Sequence, residues 1–266
     1  MRRLLLCLAL LLPAVTGTAQ AQRRSDQARL SFGMSIGYNG ATDVWSIRGQ
    51  ELFDNFSRDT ADFTRQVRPT IGLAFTGTYF PNDRIGFAAE AHLIGLGFED
   101  GCTMRSNSGS FRNAQTCIDI NGKNSAGTSV AATAGVMYRP FPWTTVQPYV
   151  RVNAGALVSQ VSAVRMRATI PTDTTRTDFV DVYVFEDDHP ASVAPTGALA
   201  MGITAFVARS YQLRFELKDN MVSLEHVTGT VPFTPAEPSS ERKLHHVFSM
   251  TLGLEVVLEK KRGRRY

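Results

Sequence analysis

From Thr70 to Ile94 the chain alternates with a period of two, and few folds accept that. Ile71, Leu73, Phe75 and Tyr79 carry large apolar side chains, while Gly72, Ala74, Thr76 and Thr78 between them are small or hydroxylic. After Pro81-Asn82-Asp83-Arg84 the alternation resumes with Ile85, Phe87, Ala89, Ala91 and Leu93 against Gly86, Ala88, Glu90 and His92. Period two places successive side chains on opposite faces of a strand, and a Pro-Asn-Asp turn between two such runs makes a hairpin.

The same pattern recurs along the chain. It predicts strands near 28–38, 70–80, 85–94, 128–139, 146–156, 197–207, 211–218 and 248–258. Pro148 removes a ladder donor and is expected near a rim. Between the strands, the polar stretches 39–66, 99–126, 159–190 and 219–244 are long, and 81–84, 140–144 and 208–210 are short. Within the third long stretch, 163–170 and 179–185 also alternate, as a hairpin extending strands five and six.

The connections therefore run long, short, long, short, long, short, long. A transmembrane barrel does this, with short turns on the periplasmic side and long loops outside. Tyr79, Phe80, Phe141, Trp143, Phe206 and Tyr211 gather at the short-turn end, where an interfacial aromatic girdle belongs. The strands have the roughly 9–11 residues needed to cross hydrocarbon at a tilt. An open edge would leave backbone donors unpaired in lipid, so the sheet must close. The fold class expected is all-β: an eight-stranded antiparallel up-and-down transmembrane β-barrel with four long extracellular loops and three short periplasmic turns.

One face of the strands is Leu, Ile, Val, Phe and Met. The other is Gly, Ala, Ser and Thr with a few charges. A soluble barrel would turn the apolar face inward and leave a surface too poor in charge to be well solvated. Inverted, the small face suits the packed interior of eight strands. Charges placed there must pair, because burying them alone is costly. Glu90, Glu216 and Glu255 are expected to pair with Arg151, Arg214 and Lys218. For Lys218 and Arg139, near the predicted strand ends, a water-exposed rim position is favoured.

The N-terminus reads as a signal peptide over 1–21. Arg2 and Arg3 precede an apolar core at 4–15 and the A-x-A site Ala19-Gln20-Ala21. Cleavage removes Cys7 and leaves Cys102 and Cys117, an even pair in an exported chain. They are expected to form a disulfide contributing roughly 3 kcal/mol. Cleavage also lowers the net charge from +4 to +2, with 26 basic against 24 acidic residues. Five positive charges sit in the tail, Lys260, Lys261, Arg262, Arg264 and Arg265, so the remaining body is at −3. The basicity is terminal, and nucleic acid is discounted as a partner. The domain plan is a leader at 1–21, a barrel at 22–258 and a basic periplasmic tail at 259–266, able to touch anionic lipid heads.

On these patterns, on PYVRVNAGAL at 148–157 and on the terminal HHVFSMTLGLEVVL, the chain resembles the small eight-stranded outer-membrane barrels of the OmpA/OmpX-like group of Gram-negative bacteria. The resemblance implies an outer-membrane location and contact with outer-membrane lipid and lipopolysaccharide. Two features depart from it. No peptidoglycan-binding domain follows strand eight, and the strand does not end the chain on a phenylalanine.

Some small barrels modify lipid A with Ser, His and an acid. His245 and Ser249 share a face of strand eight, with Glu241 or Glu225 in reach from a loop, but nothing in the sequence brings them together and the His-x-Ser motif of lipid-A deacylases is absent. His245 and His246 point to opposite faces, which is poor ligand geometry. Asp173, Asp178, Asp181, Glu186, Asp187 and Asp188 make the third long stretch acidic, without the spacing of a Ca²⁺ loop. The expectation is a non-catalytic monomer without cofactor or metal. Its four surface loops would make adhesive contacts with host or neighbouring-cell ligands, or serve envelope integrity. A lipid-modifying enzyme, and a narrow pore or carrier of small apolar ligands, are the alternatives.

Overall fold

The computed structural model describes residues 29–54, 57–106, 108–125, 127–172, 178–187, 192–208, 210–232 and 236–259. The expected leader and the charges of the basic tail lie outside the described residues. In chain order the strands are β1 (Arg29–Asn39), β2 (Thr42–Asp54), β3 (Ser57–Val67), β4 (Thr70–Phe80), β5 (Ile85–Gly95) and β6 (Phe98–Met104). Helix α1 (Phe111–Ile120) follows, then β7 (Lys123–Ser125), β8 (Thr128–Tyr138), β9 (Val146–Ser159) and β10 (Met166–Pro171). The chain continues with β11 (Phe179–Phe185), β12 (Ser192–Phe206), β13 (Tyr211–Val227) and β14 (Ser240–Glu259).

Eight of these strands close a barrel in the order β1-β14-β13-β12-β9-β8-β5-β4. Strand β1 completes the ring by pairing antiparallel with both β14 and β4, Ser35 lying between Gly253 and Ala74. Closure leaves the wall without an open edge strand. The unbroken alternation fixes which side chains face out. Ile71 is 71 % exposed and Leu252 56 %, and Phe215 also lies on the outer surface. Inside are small and hydroxylic groups: Ser31 and Thr78, cross-strand partners on β1 and β4, join their hydroxyls by a hydrogen bond. At the first short turn the Asn82 side chain accepts from the Arg84 and Ile85 amides at 3.0 and 2.7 Å, which sets the reversal.

The long connections depart from what the alternation predicts. The stretch 39–66 is no loop: β2 and β3 form a hairpin whose inner face buries Val44, Trp45, Ile47, Leu52, Phe63 and Val67. Two register shifts, at Asp43/Trp45 and Ile47/Gln50, break its period and conceal it. Strands β6 and β7 add to β3, giving the sheet β2-β3-β6-β7. Helix α1 sits in the second long connection, capped by Ser110, whose hydroxyl accepts from the Asn113 amide. The 163–170 and 179–185 runs give β10 and β11, a separate two-stranded sheet rather than an extension of the barrel wall. Most of the fourth stretch is also strand, because β13 continues to Val227 against β14 from Ser240.

These pieces form one cap. Trp45, Phe63, Phe98, Met166, Ile170, Phe185 and Val231 from the connections share a buried core with Ile94, Leu157, Val222 and Val247 from the upper barrel wall. Each such side chain removed from water contributes roughly 1.5–3 kcal/mol.

Candidate functional site

Two arrangements bear on what the protein does: the interior of the barrel and the cap above it. In the interior, Arg151 on β9 places Nη2 2.6 Å from Glu90 on β5 and 2.6 Å from Glu216 on β13. Lys218 Nζ lies 2.6 Å from the other Glu90 oxygen and 3.2 Å from His92 Nδ1. Strands β13 and β5 stand on opposite sides of the ring, so the Lys218–Glu90 pair crosses the whole lumen. A second group joins Arg214 to Glu255 at 2.7 Å, with Gln212 donating to the same carboxylate. The Tyr149 hydroxyl donates to Glu216 at 2.7 Å.

Lys218 and Arg139, expected at exposed rims, are instead 3 % and 4 % exposed. The strand runs nine residues past Lys218, which makes it a mid-strand interior position. Arg139 lies over the Phe80 ring at 3.8 Å. Phe80 also departs from its expected place in the outward girdle: it is 3 % exposed and packs with Met137 and Tyr149 across the short-turn end of the lumen. Its even number puts it on the inner face with Thr76 and Thr78. Phe206 is half-buried, while Tyr79, Phe141, Trp143 and Tyr211 are exposed. Arg84 lies over the Trp143 ring at 5.2 Å.

The cap is organised by the β2–β3 hairpin, which receives all three other connections. For the second, β3 pairs with β6, and Asp59 accepts from Asn113 Nδ2 at 2.8 Å and from the Ser108 hydroxyl at 2.9 Å. Burial works against ionisation of Asp59, but the donors from Asn113 and Ser108 outweigh it and hold the carboxyl below its ordinary range. Cys102 on β6 and Cys117 on α1 form a disulfide with Cα atoms 5.3 Å apart. For the third connection, Trp45 Nε1 donates to the Ala163 carbonyl at 2.8 Å, and Phe185 meets Trp45 and Phe63 edge-on. For the fourth, Gln50 donates to the Val231 carbonyl at 3.0 Å and accepts from its amide at 2.9 Å.

At the centre is Arg65. Its guanidinium grips Asp100 with two bonds of 2.7 and 2.8 Å, lies over the rings of Trp45 and Phe98 at 5.5 and 5.3 Å, and reaches the Ser162 carbonyl at 3.4 Å. A paired, ring-stacked guanidinium of this kind ties three segments of chain together. None of Gln50, Arg65, Asp100 and His226 stands out from the sequence. The one available signal was a tryptophan, Trp45, in an otherwise polar stretch.

The residues of a hydrolytic triad are not assembled. Ser249 and His245 are four residues apart on β14, about 13 Å at strand rise. The Ser249 hydroxyl accepts from Asn220 at 2.8 Å, while His245 Nδ1 faces the Asp43 carbonyl at 3.1 Å. Glu241 pairs with Lys243 at 2.8 Å and Glu225 faces Arg242 at 4.0 Å. Of the acidic third stretch, Asp181 pairs with Arg167 at 2.9 Å and Asp187 is buried, while Asp173 and Asp188 lie outside the described residues. Among the described residues no three His, Cys, Asp or Glu side chains come together as a metal site.

No family model matches the chain, and no curated protein matches it. Solved structures similar to it include the outer membrane protein OprG from Pseudomonas aeruginosa, at 10 % identity and TM-score 0.43, covering 88 % of this chain and 97 % of that one. Another is Ail, the attachment invasion locus protein of Yersinia pestis, in complex with the heparin analogue sucrose octasulfate, at 11 % identity and TM-score 0.40, covering 87 % and 99 %. Neisserial surface protein A is a third, at 10 % identity and TM-score 0.38, covering 87 % and 97 %. These neighbours are small eight-stranded outer-membrane barrels.

Proposed function

We propose that the chain is an outer-membrane barrel of a Gram-negative bacterium, exported by a cleaved leader, whose folded cap makes contacts at the cell surface. The barrel is the anchor. Its outward belt of Phe, Leu, Ile, Val and Met packs against outer-membrane lipid and lipopolysaccharide, where water-exposed apolar area on this scale has no favourable alternative. The basic tail stays on the periplasmic side and the chain acts as a monomer.

The observation that carries the functional part is the single buried core shared by all four long connections and the upper barrel wall. Separate loops would present small, independent contacts. One packed cap presents a defined surface, pre-organised for binding. The interior supports an anchor rather than a pore, because the Lys218–Glu90 pair crosses the lumen and Phe80, Met137 and Tyr149 fill its lower end. The separation of Ser249 from His245 speaks against a Ser–His hydrolase.

The test compares cells displaying the full chain with cells displaying Arg65→Met, whose cap should loosen while the barrel stays intact. Fractionation and an unboiled gel verify that both variants insert. The expected result is adherence to host-cell monolayers or neighbouring cells that falls with Arg65→Met. Equal adherence for both, or none above cells lacking the protein, rejects the reading. Planar-bilayer recordings should show no steady conductance.

A further inference from the structure

The β13–β14 hairpin rises past the barrel and meets β2 through two histidines. His226 Nδ1 lies 2.6 Å from the Val44 carbonyl, and His245 Nδ1 lies 3.1 Å from the Asp43 carbonyl. Consecutive carbonyls on a regular strand point apart. Here the register shift between Asp43 and Trp45 bends β2 and presents both to the hairpin. A carbonyl only accepts, so each Nδ1 carries its hydrogen, and Nε2 of His245 is the atom that takes up a proton in acid.

Nothing at this contact welcomes that proton. The two rings stack, with centroids 6.3 Å apart and planes 27° apart. His245 Nε2 is buried without a hydrogen-bond partner among the described residues. Among the described residues, few charged groups face the pair. Glu241 is the cross-strand partner of His226, but Lys243 engages it at 2.8 Å. Glu225 faces Arg242 at 4.0 Å, and His246 lies 2.8 Å from Asp219. From β2 the nearest charged residue is Asp43, which offers its backbone carbonyl.

We propose that His245, stacked on His226, forms an acid-released latch, which holds β2 to the β13–β14 hairpin while the His245 ring is neutral and lets β2 go when it is charged. Burial is the main influence on His245 and depresses its pKa. The Asp43 carbonyl works the other way, and the neighbouring His226, Lys243 and His246 add to the depression. A depressed histidine favours the neutral folded form. The latch is therefore fully engaged above the ordinary histidine value of about 6.5 and weakens as pH falls below it. Because β2 also holds Trp45 and Gln50, its release loosens the joints to the third and fourth connections.

The chain has two tryptophans, Trp45 in the cap core and Trp143 exposed at the short-turn end. Trp143→Phe thus makes Trp45 the sole reporter. In detergent micelles at pH 7.5 this full-length protein should emit as a buried tryptophan. By pH 5 the emission should shift red and amide exchange over 42–47 should accelerate at least tenfold, with barrel mobility on an unboiled gel unchanged. His226→Gln with His245→Gln keeps amide donors for the carbonyls and removes the titration. In that background both signals should stay flat. A parent protein that is flat between pH 7.5 and 5 overturns the proposal, as does a double variant that keeps the transition. If the double variant does not fold, His245→Gln alone decides. It must flatten the transition, and an unchanged curve overturns the latch.

Discussion

The barrel and the cap are built from the same kinds of strand with opposite insides. The barrel wall turns Phe215 and Leu252 outward and encloses Glu90, Arg151, Glu216 and Lys218. A few residues higher, the cap encloses Trp45, Phe63 and Phe98 and leaves charged pairs such as Arg105–Asp62 and Arg167–Asp181 on its surface. Strand β13 belongs to both. Its inner face changes from Arg214, Glu216 and Lys218 to Val222 and Leu224 within a few residues. In the proposed membrane setting, the change marks where the surrounding solvent changes. Lipid rewards an apolar exterior and leaves the interior to paired charge, and water does the reverse.

Arg65 in the cap and Arg151 in the barrel are both almost fully buried, and the two are held differently. Arg65 is enclosed by rings and by a two-bond grip on Asp100 in an apolar core. Arg151 shares one nitrogen between two carboxylates that have other partners, Lys218 for Glu90 and Tyr149 for Glu216. Arg65→Met should therefore have the largest effect. It strands a buried carboxylate and should cost the cap roughly 3–5 kcal/mol. Adding Asp100→Leu should recover most of that, because the pair is then replaced by apolar packing. Red-shifted Trp45 emission in the Trp143→Phe background measures both, and a double variant as loose as the single would break the account of Arg65.

The belt predicts a slightly smaller effect with the opposite geography. Leu252→Arg places a charge on the outer face of β14 opposite Ile36 and Phe215. In a bilayer this should cost roughly 2–4 kcal/mol, and less toward the interfaces. Unfolding in phospholipid vesicles measures it. A substitution that is silent there would mean that this face is not in lipid. Arg151→Met comes next, at roughly 1–3 kcal/mol, because both glutamates keep a donor. A loss equal to that of Arg65→Met would erase the proposed distinction between the two arginines.

How much of this was legible follows from the same contrast. The wall could be read because each strand keeps an unbroken period of two and the pattern refers only to itself. Residue parity even placed Phe80 inside. Its nearness to the turn suggested the girdle, and parity is what the packing obeyed. Lys218 looked terminal because the polar run beyond it concealed the continuation of β13 to Val227. The cap was hidden for a different reason. Its hairpin β2–β3 carries two irregularities, one at Asp43/Trp45 and one at Ile47/Gln50, the latter spanning Gly49 at a φ of 70°. Period two fails there. The partners of Trp45, Gln50 and Arg65 also lie far off in the chain, Ala163 118 residues away, Val231 181 and Asp100 35. No local pattern announces such contacts.

The smallest predicted effect tests whether the cap depends on fixed charge as the barrel interior does. Asp59 lies within the cap, and its carboxylate accepts from Asn113 and Ser108, which fixes the approach to helix α1. Those bonds hold its pKa below the usual carboxylate range, so the folded cap favours the ionised form. The contribution is present above the unfolded value of about 3.9 and is lost as pH falls through the lower folded value. Asp59→Asn removes the titration while keeping an acceptor oxygen. Proteolytic susceptibility of 106–120 in the parent should therefore rise between pH 5 and 3, and the variant should be weaker at pH 5 yet flatter across that interval. Parallel curves would assign the acid sensitivity of this corner to groups other than Asp59. Curves that differ would show that a buried carboxylate anchors the helix in the cap, as Asp100 anchors Arg65 at its centre.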